Sequence, residues 1–317
     1  MNTVILTGFA GFIGSQLLRD LVKKYKVIGI DNLSEGSDVK NYKKINKEKF
    51  FPIYADISDK NLKKYIDDVV KNNDLVVDYV INCAAQSHVD RSFDQYDIFI
   101  KSNVSGPVNL AKIALDYKVK KFVQVSTDEV FADSNQPFTE DSKITPQNAY
   151  SSSKAAAEML LYNYQRAFGL PLVITNGANT YGPRQKEKII PKAVDSILRK
   201  VKIPLYKTPA RRMWLHVEDH SSGIIKAMLN GEIGERYCLA PSEEDEFFTH
   251  DLLDLICYCL GVNYEDVVEL VEDRPNYDLR YYMLNHKATK DLVWSPNKKI
   301  KDEISKVVNW YVENFKK

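Results

Sequence analysis

The stretch Val4-Ile5-Leu6-Thr7-Gly8-Phe9-Ala10-Gly11-Phe12-Ile13-Gly14 decides the fold. An apolar run typical of a buried strand leads into three glycines, Gly8, Gly11 and Gly14, which are spaced three residues apart. A helical apolar periodicity follows over residues 14–24. Glycines let the backbone approach a diphosphate closely, and the free N–H groups and dipole at a helix N-terminus favour its negative charge. The stretch therefore predicts a dinucleotide-binding turn.

An acid after the second predicted strand indicates which dinucleotide binds. Asp31 follows the apolar residues 27–30 and lies 23 residues after Gly8. A carboxylate there accepts hydrogen bonds from the ribose hydroxyls of adenosine and repels a 2′-phosphate. No Arg or Lys stands in the following Asn32-Leu33, so the sequence favours NAD over NADP. Asp56-Ile57 is a candidate adenine contact, with an ordinary loop aspartate as the alternative.

The first half of the chain alternates apolar runs with amphipathic stretches. The predicted strands are residues 4–6, 27–30, 50–54, 79–83, 121–126 and 172–175, and the predicted helices are residues 14–24, 62–70, 104–117 and 149–168. Strands that are apolar throughout indicate a parallel sheet covered on both faces. Pro52 lacks an N–H donor and favours an edge position for the third strand. The predicted fold class is α/β, a doubly wound parallel sheet of Rossmann type with a smaller C-terminal substrate-binding lobe.

The pattern changes after Thr175, where prolines and loops become more frequent. Helices are predicted at residues 191–199, 217–229 and 249–260. We expect residues 1–175 to form the NAD-binding domain and residues 176–317 to form the substrate-binding lobe. Segments within residues 213–240, around Trp214 and Tyr237, are candidates to return to the main sheet.

Composition restricts the class of protein. The 317 residues carry a formal net charge of +1, which argues against a nucleic-acid-binding protein. No apolar run approaches about 18 residues and no secretion signal is evident, so we expect no membrane span and a cytoplasmic protein. The four cysteines have no ligand-rich neighbourhood, so reduced thiols are expected and a metal site is not.

Two further stretches carry the chemistry. Tyr150 and Lys154 lie one turn apart on the predicted helix 149–168, where a cation and an oxidised nicotinamide would favour the phenolate of the tyrosine. Thr127, Asp128 and Glu129 follow the fifth strand. Neighbouring strand residues point to opposite faces, so all three reach one ligand only if the chain is leaving the sheet there. The two carboxyl groups serve as acid and base if their surroundings separate their pKa values.

The chain resembles the extended short-chain dehydrogenase/reductases, and specifically the nucleoside-diphosphate-glucose 4,6-dehydratases, over essentially its whole length. Besides the glycine turn, the matching stretches are residues 84–92 (AAQSHVDRS), 126–130 (STDEV), 150–154 (YSSSK), 179–183 (NTYGP), 187–191 (EKIIP), 212–215 (RMWL), 217–220 (VEDH) and 273–275 (DRP), with Asp278 and Arg280-Tyr281. Related epimerases share the tyrosine and lysine but lack the Asp-Glu pair after the threonine, so this pair is the specific feature.

The resemblance implies a mechanism. Tyr150 takes the proton from the glucose O4 as hydride leaves C4 for NAD, Glu129 removes the C5 proton, and Asp128 protonates the departing C6 hydroxyl. Thr127 would hold O4 and Lys154 the cofactor ribose. The implied substrate-binding residues are Ser87, Thr127, Asn179, Lys188, Arg212 and Arg274. The expected cofactor contacts are Gly8, Gly11, Phe12, Ile13, Gly14, Asp31, Asn32, Asp56, Ile57, Ala84, Tyr150 and Lys154. The resemblance also implies a homodimer.

Several residues depart from the family pattern. Phe9 replaces a frequent glycine, residues 206–212 are one residue short, residues 237–241 lack the usual Asn-Ile-Gly-Gly, and Asn276-Tyr277 replaces Gly-His. The last three departures lie where the nucleotide should bind, so the choice between thymidine and uridine stays open; Gln86 favours uridine slightly. A sugar-nucleotide 4-epimerase and a non-catalytic NAD-binding protein are the alternatives.

Overall fold

A computed structural model describes residues 2–131, 134, 136–273 and 277–315. Its strands are β1 (Thr3–Thr7), β2 (Lys26–Asp31), β3 (Phe50–Tyr54), β4 (Val77–Asn82), β5 (Lys121–Thr127), β6 (Leu172–Gly177), β7 (Asn179–Tyr181), β8 (Ile203–Tyr206), β9 (Arg211–His216), β10 (Arg236–Leu239), β11 (Glu246–Phe248), β12 (Val268–Val271) and β13 (Arg280–Tyr281). Its helices are α1 (Phe12–Leu21), α2 (Leu62–Asn72), α3 (Val89–Asp94), α4 (Tyr96–Ile100), α5 (Gly106–Asp116), α6 (Ala149–Phe168), α7 (Ile189–Leu198), α8 (Val217–Asn230), α9 (Thr249–Leu260), α10 (Tyr264–Val267), α11 (His286–Leu292) and α12 (Ile300–Phe315).

Seven strands form one parallel sheet in the order β10-β6-β5-β4-β1-β2-β3. The order reverses between β1 and β4, and a ligand binds at such a point, beyond the carboxyl ends of the strands. β3, which contains Pro52, lies at the edge as predicted. The predicted doubly wound α/β fold is confirmed.

Apolar clusters pack on both faces of this sheet. One joins β1 and β5 to α1, α8 and α11, and the other joins β1, β2 and β4 to α2, α5 and α6. A third cluster lies in the second half of the chain, where α7, α9 and α12 pack around Trp214. Phe9, the residue that replaces a frequent glycine, is fully buried against Tyr42 and Phe50, with ring centroids 5.0 and 5.1 Å away. Its large side chain is thus part of the core.

The two segments expected to return to the main sheet behave differently. β10, which contains Tyr237, pairs with β6 at the edge of the seven-stranded sheet. β9, which contains Trp214, instead pairs with β7, β11 and β13 in a separate small sheet. The reason is that β7 follows β6 after a single residue, Ala178, and offers β9 an edge outside the main sheet. The division into two lobes at residue 175 stays a prediction.

Two chemical features can be stated for the part of the chain that the structure describes. Its helices include none that is both long and apolar enough to cross a membrane. Within the same residues, no group of three or more His, Cys, Asp or Glu side chains is arranged to hold a metal ion.

Candidate active site

The glycine turn connects β1 to α1, and neither Gly8 nor Gly14 has room for a side chain. Gly8 has a φ of +70°, and a Cβ on Gly14 would lie 1.9 Å from the carbonyl oxygen of Gly8. Gly11 precedes α1 without a side-chain hydrogen bond that would cap the helix. The N–H groups at this helix N-terminus therefore face the cleft and suit a diphosphate.

Asp31 ends β2 beside this turn. Its carboxylate accepts hydrogen bonds from the backbone N–H groups of Ala10 (2.9 Å) and Leu33 (2.8 Å) and from the Ser37 hydroxyl (2.9 Å). A carboxylate offers about four lone-pair positions, so one remains for a ribose hydroxyl. Asp31 thus holds the turn together and still suits the adenosine ribose of NAD. The sequence alone did not reveal this bracing role.

The expected adenine side of the cleft is built from the loops after β2 and β3. Asp56 accepts hydrogen bonds from the N–H and hydroxyl of Ser58 at 2.9 and 2.7 Å, and Lys101 lies 3.5 Å away. Burial opposes ionisation of Asp56, but these groups outweigh it and lower its pKa. Asn32 donates to Asp56 over 3.4 Å, and the side chain of Ile57 fills the space beside Gly106.

The chain leaves the sheet at the end of β5, as predicted. Asp128–Phe131 form a 3₁₀ turn directly after Thr127. The Thr127 hydroxyl donates to the Asp128 carboxyl at 3.1 Å and accepts from the Glu129 N–H at 3.3 Å. The Thr127 hydroxyl therefore contacts both acidic residues at the carboxyl end of β5.

The two carboxyl groups differ in their surroundings. Burial raises the pKa of Asp128 to about 7, and the neighbouring charge of Glu129 contributes to the rise. Burial also raises the pKa of Glu129, but Lys188 and a 3.4 Å hydrogen bond from Asn148 oppose that rise. Asp128 has the surroundings of a proton donor near neutral pH, whereas Glu129 has a cation and an amide that favour its ionised form.

Asn148 also sets the start of α6. Its side-chain oxygen accepts the Ser151 N–H at 2.8 Å, and the Ser151 hydroxyl accepts the Asn148 N–H at 3.2 Å. This reciprocal cap fixes the first turn of the helix, which carries Tyr150. The same side chain contacts Glu129, so one residue connects Glu129 to the start of α6. Sequence reasoning missed this role, although an Asn three residues before a Ser is a usable cap pattern.

Tyr150 and Lys154 are both buried on α6. Burial raises the pKa of Tyr150 and the charges of Glu129 and Asp128 raise it further, while a hydrogen bond with Thr127 lowers it. Burial lowers the pKa of Lys154 to about 8. Its ammonium donates to the Val125 carbonyl at 2.7 Å, which leaves two of its three hydrogens for a ligand. The surroundings that the described residues provide therefore favour the protonated form of Tyr150.

Four of the predicted sugar-nucleotide contacts, Ser87, Asn179, Lys188 and Arg212, line the same cleft. Lys188 donates to the carbonyl of Ser87 at 3.3 Å, and Asn179 begins β7. Arg212 donates to the carbonyls of Arg211 and Asp278, each at 2.7 Å, and its guanidinium stacks 4.8 Å from the Tyr281 ring. Arg274 lies outside the described residues.

One cleft of about 460 Å³ brings these groups together. Every predicted cofactor, catalytic and substrate residue within the described part of the chain lines it: Gly8, Gly11, Phe12, Ile13, Gly14, Asp31, Asn32, Asp56, Ile57, Ala84, Ser87, Thr127, Asp128, Glu129, Tyr150, Lys154, Asn179, Lys188 and Arg212. Their common location agrees with the predicted assignments, and their individual roles stay predictions.

Sequence reasoning assigned no role to residues 184–187, called the strap here, which contact α1, the loop after β2 and α3. Arg184 donates to Gln16 at 2.6 Å, Lys186 lies 3.0 Å from Asp38, and Glu187 accepts from Arg91 at 2.8 Å. Arg91 also pairs with Glu35 in the loop after β2. These long-range contacts leave no local sequence pattern, although Arg91 and Glu187 both lie in stretches shared with the family.

The chain matches the family model described as GDP-mannose 4,6 dehydratase over residues 5–307. The low-salt glycan biosynthesis protein Agl12 of Haloferax volcanii is 35% identical over 98% of each chain. A dTDP-glucose 4,6-dehydratase of Neisseria gonorrhoeae is 33% identical over 99% of this chain and 96% of its own. The crystal structure of DesIV, a dTDP-glucose 4,6-dehydratase from Streptomyces venezuelae with NAD and TYD bound, is 32% identical with a TM-score of 0.92, covering 99% of this chain and 98% of that chain.

Proposed function

This chain belongs to the GDP-mannose 4,6 dehydratase family, and on that premise we propose that it dehydrates a nucleoside-diphosphate-glucose, carrying dTDP or UDP, to the 4-keto-6-deoxy sugar nucleotide with NAD as cofactor. The observation that carries the proposal is the placement of Asp128, Glu129 and Tyr150 in one cleft with the glycine turn. Oxidation at C4 alone needs only a tyrosine base. Loss of water across C5 and C6 needs a separate acid and a separate base as well.

NAD fits the residues present, because the turn between β1 and α1 leaves space for a diphosphate and Asp31 keeps a position for a ribose hydroxyl. When bound, NAD would supply the hydride acceptor for C4 and, after water has left, the hydride donor for C6, while a proton returns to C5 to complete the 4-keto-6-deoxy sugar. Lys154, with two hydrogens free beyond its bond to Val125, would hold the nicotinamide ribose. Its charge also favours the phenolate of Tyr150.

The chain's own residues carry the proton transfers. Tyr150 takes the proton from O4, and the ketone that forms acidifies the C5 hydrogen. Glu129 removes that hydrogen as a proton, since Lys188 and Asn148 support its ionised form. Asp128, whose pKa is raised to about 7 by burial, gives its proton to the C6 hydroxyl, which leaves as water. Thr127, whose hydroxyl contacts the Asp128 carboxyl and the Glu129 N–H, would hold O4.

The sugar nucleotide would bind along the wall formed by Ser87, Asn179, Lys188 and Arg212, with Arg274 nearby in sequence to Asp278. An arginine suits a diphosphate because its planar fork donates paired, charge-assisted hydrogen bonds. The stacking of Arg212 on Tyr281 and its bonds to two carbonyls preset its orientation. The dTDP-glucose relatives support a thymidine nucleotide, and Gln86 favours uridine, so both belong in the test.

The test is a mass-spectrometric time course of the purified protein with dTDP-glucose, UDP-glucose and GDP-mannose, each supplied separately. We expect one of the two glucose nucleotides to lose one water, and the faster one names the nucleotide. Loss of water from GDP-mannose alone would overturn the choice of glucose. Conversion of glucose to galactose at constant mass would overturn dehydration and identify an epimerase. No change with any of them would contradict the proposed function as a whole.

A further inference from the structure

A third functional group lies on the face of α6 that carries Tyr150 and Lys154. Glu158 follows Lys154 by four residues, as Lys154 follows Tyr150, so the three side chains share one side of the helix. Glu158 is fully buried and does not line the cleft. A ligand in the cleft therefore cannot touch it, and any effect on the reaction has to pass through other residues.

Hydrogen bonds connect Glu158 to Thr127, the residue before the 3₁₀ turn that carries Asp128. One carboxylate oxygen accepts from the Arg236 guanidinium at 2.6 Å, and the other accepts from the Asn176 side-chain amide at 3.0 Å. The same amide nitrogen donates to the backbone carbonyl of Thr127 at 2.8 Å. Because an amide NH₂ has two hydrogens, Asn176 uses one on Glu158 and the other on Thr127.

The Thr127 carbonyl belongs to the peptide unit that continues into Asp128. A peptide unit is planar, so fixing its carbonyl also fixes the direction in which the Asp128 backbone leaves the strand. Asp128 is the first residue of the 3₁₀ turn, beyond the last β5–β6 register pair, Thr127 and Gly177. Its Oδ1 accepts the Thr127 hydroxyl, whereas its Oδ2 has no hydrogen-bond partner among the described residues.

We propose that Glu158 is a positioning residue for the acid: it anchors Asn176, which holds the Thr127–Asp128 peptide and thereby aims the Asp128 carboxyl at the leaving hydroxyl. This inference rests on the proposed dehydration. The ion pair with Arg236 holds Glu158 in place in turn, and this pair joins β10 to α6. The interaction spans 78 residues of sequence, which explains why sequence patterns did not reveal it.

The test compares two double variants that both remove the buried ion pair. Glu158→Leu/Arg236→Met replaces it with apolar side chains, a change that buried ion pairs often tolerate. Glu158→Gln/Arg236→Met differs only in keeping an oxygen that can accept from Asn176. Both are assayed for the rate of water loss, for the KM of the nucleotide sugar, and for the absorbance of reduced nicotinamide during turnover.

We expect the leucine double variant to lose water at least about tenfold more slowly, with reduced nicotinamide accumulating and KM little changed, because only proton donation to the leaving group fails. The glutamine double variant should stay within about threefold of the wild-type rate. Equal rates in the two double variants, with an active wild type, would overturn the proposal. Absence of water loss in the wild type would instead overturn the proposed function.

Asn176→Ala provides the second test if the leucine double variant does not fold. It leaves the ion pair between Glu158 and Arg236 in place and removes the Asn176 amide, which links Glu158 to the Thr127 carbonyl. Reduced nicotinamide should accumulate in this variant as well. A normal rate of water loss without that accumulation would contradict the role of the link.

Discussion

Asp128→Asn should stabilise the protein at alkaline pH while it removes the carboxyl group proposed as the acid of the reaction. The carboxyl group is 2% exposed, and its Oδ2 atom has no hydrogen-bond partner among the described residues. Burial and the neighbouring Glu129 raise its pKa from the ordinary value of 3.8 to about 7. Ionised Asp128 is therefore costly in the folded protein, and an asparagine of the same shape cannot ionise.

The size of the effect follows from the pKa. A rise of about three pH units, at about 1.4 kcal/mol each, gives roughly 4 kcal/mol. Below about pH 4 the Asp128 carboxyl is protonated in both the folded and the unfolded chain. The raised pKa then takes nothing from the free energy of unfolding. As the pH rises towards 7 only the unfolded chain ionises, and this stability is lost; about a third of it is already lost at pH 5. Between about pH 5 and pH 9 the variant should therefore gain roughly 3 kcal/mol relative to the wild type.

Urea denaturation of both proteins at about pH 5 and pH 9 measures this difference. The matched control is Asp78→Asn, since Asp78 is comparably buried but lies 2.7 Å from Lys120 and accepts the Thr3 N–H at 3.0 Å. Loss of that ion pair should destabilise the control at pH 9. A stability difference between Asp128→Asn and the wild type that stays constant with pH would refute the reasoning. Dehydration by the variant should fall roughly 10²- to 10⁴-fold.

Three further changes test other parts of the site. Glu129→Gln should lower the rate of water loss by about 10²-fold or more. Reduced nicotinamide should accumulate, as measured by absorbance during turnover. A normal rate of dehydration would show that Glu129 is not the base. Gly14→Ala should abolish NAD binding or folding, measured by calorimetry and circular dichroism, because its Cβ would lie 1.9 Å from the Gly8 carbonyl oxygen. Arg91→Gln should speed loss of NAD on dialysis several-fold, because it removes the ion pairs that connect the strap to Arg91 and Glu35. The control is Arg199→Gln, which breaks an exposed ion pair with Asp195. This control should retain NAD like the wild type.

The fold was predictable wherever local chemistry decides the outcome. The helix predicted over residues 149–168 is found as Ala149–Phe168, because Gly169 adopts a left-handed conformation with a φ of 73° and ends it. The apolar strands and Pro52 gave the parallel sheet and its edge. The other boundaries moved by a few residues: the helix predicted over residues 104–117 runs from Gly106 to Asp116 and follows a π-helical turn at Lys101–Ser105.

What the sequence could not show depends on contacts between distant segments. The pairing of Glu158 with Arg236 and the contact of Lys186 with Asp38 join elements far apart in the chain. The raised pKa of Asp128 follows from burial that only the folded chain produces. The position of β9 in a separate sheet depends on which strand edge is free, and an apolar pattern does not reveal that.

We propose that one site oxidises C4, removes water and reduces C6 of the same sugar. Substrate carrying deuterium at C4, as either dTDP-glucose or UDP-glucose, tests this directly. We expect a product that is lighter by one water and keeps the deuterium, now at C6, as read by mass spectrometry and NMR. A dehydrated product that has lost the label to solvent, or labelled substrate recovered without loss of water, would contradict it.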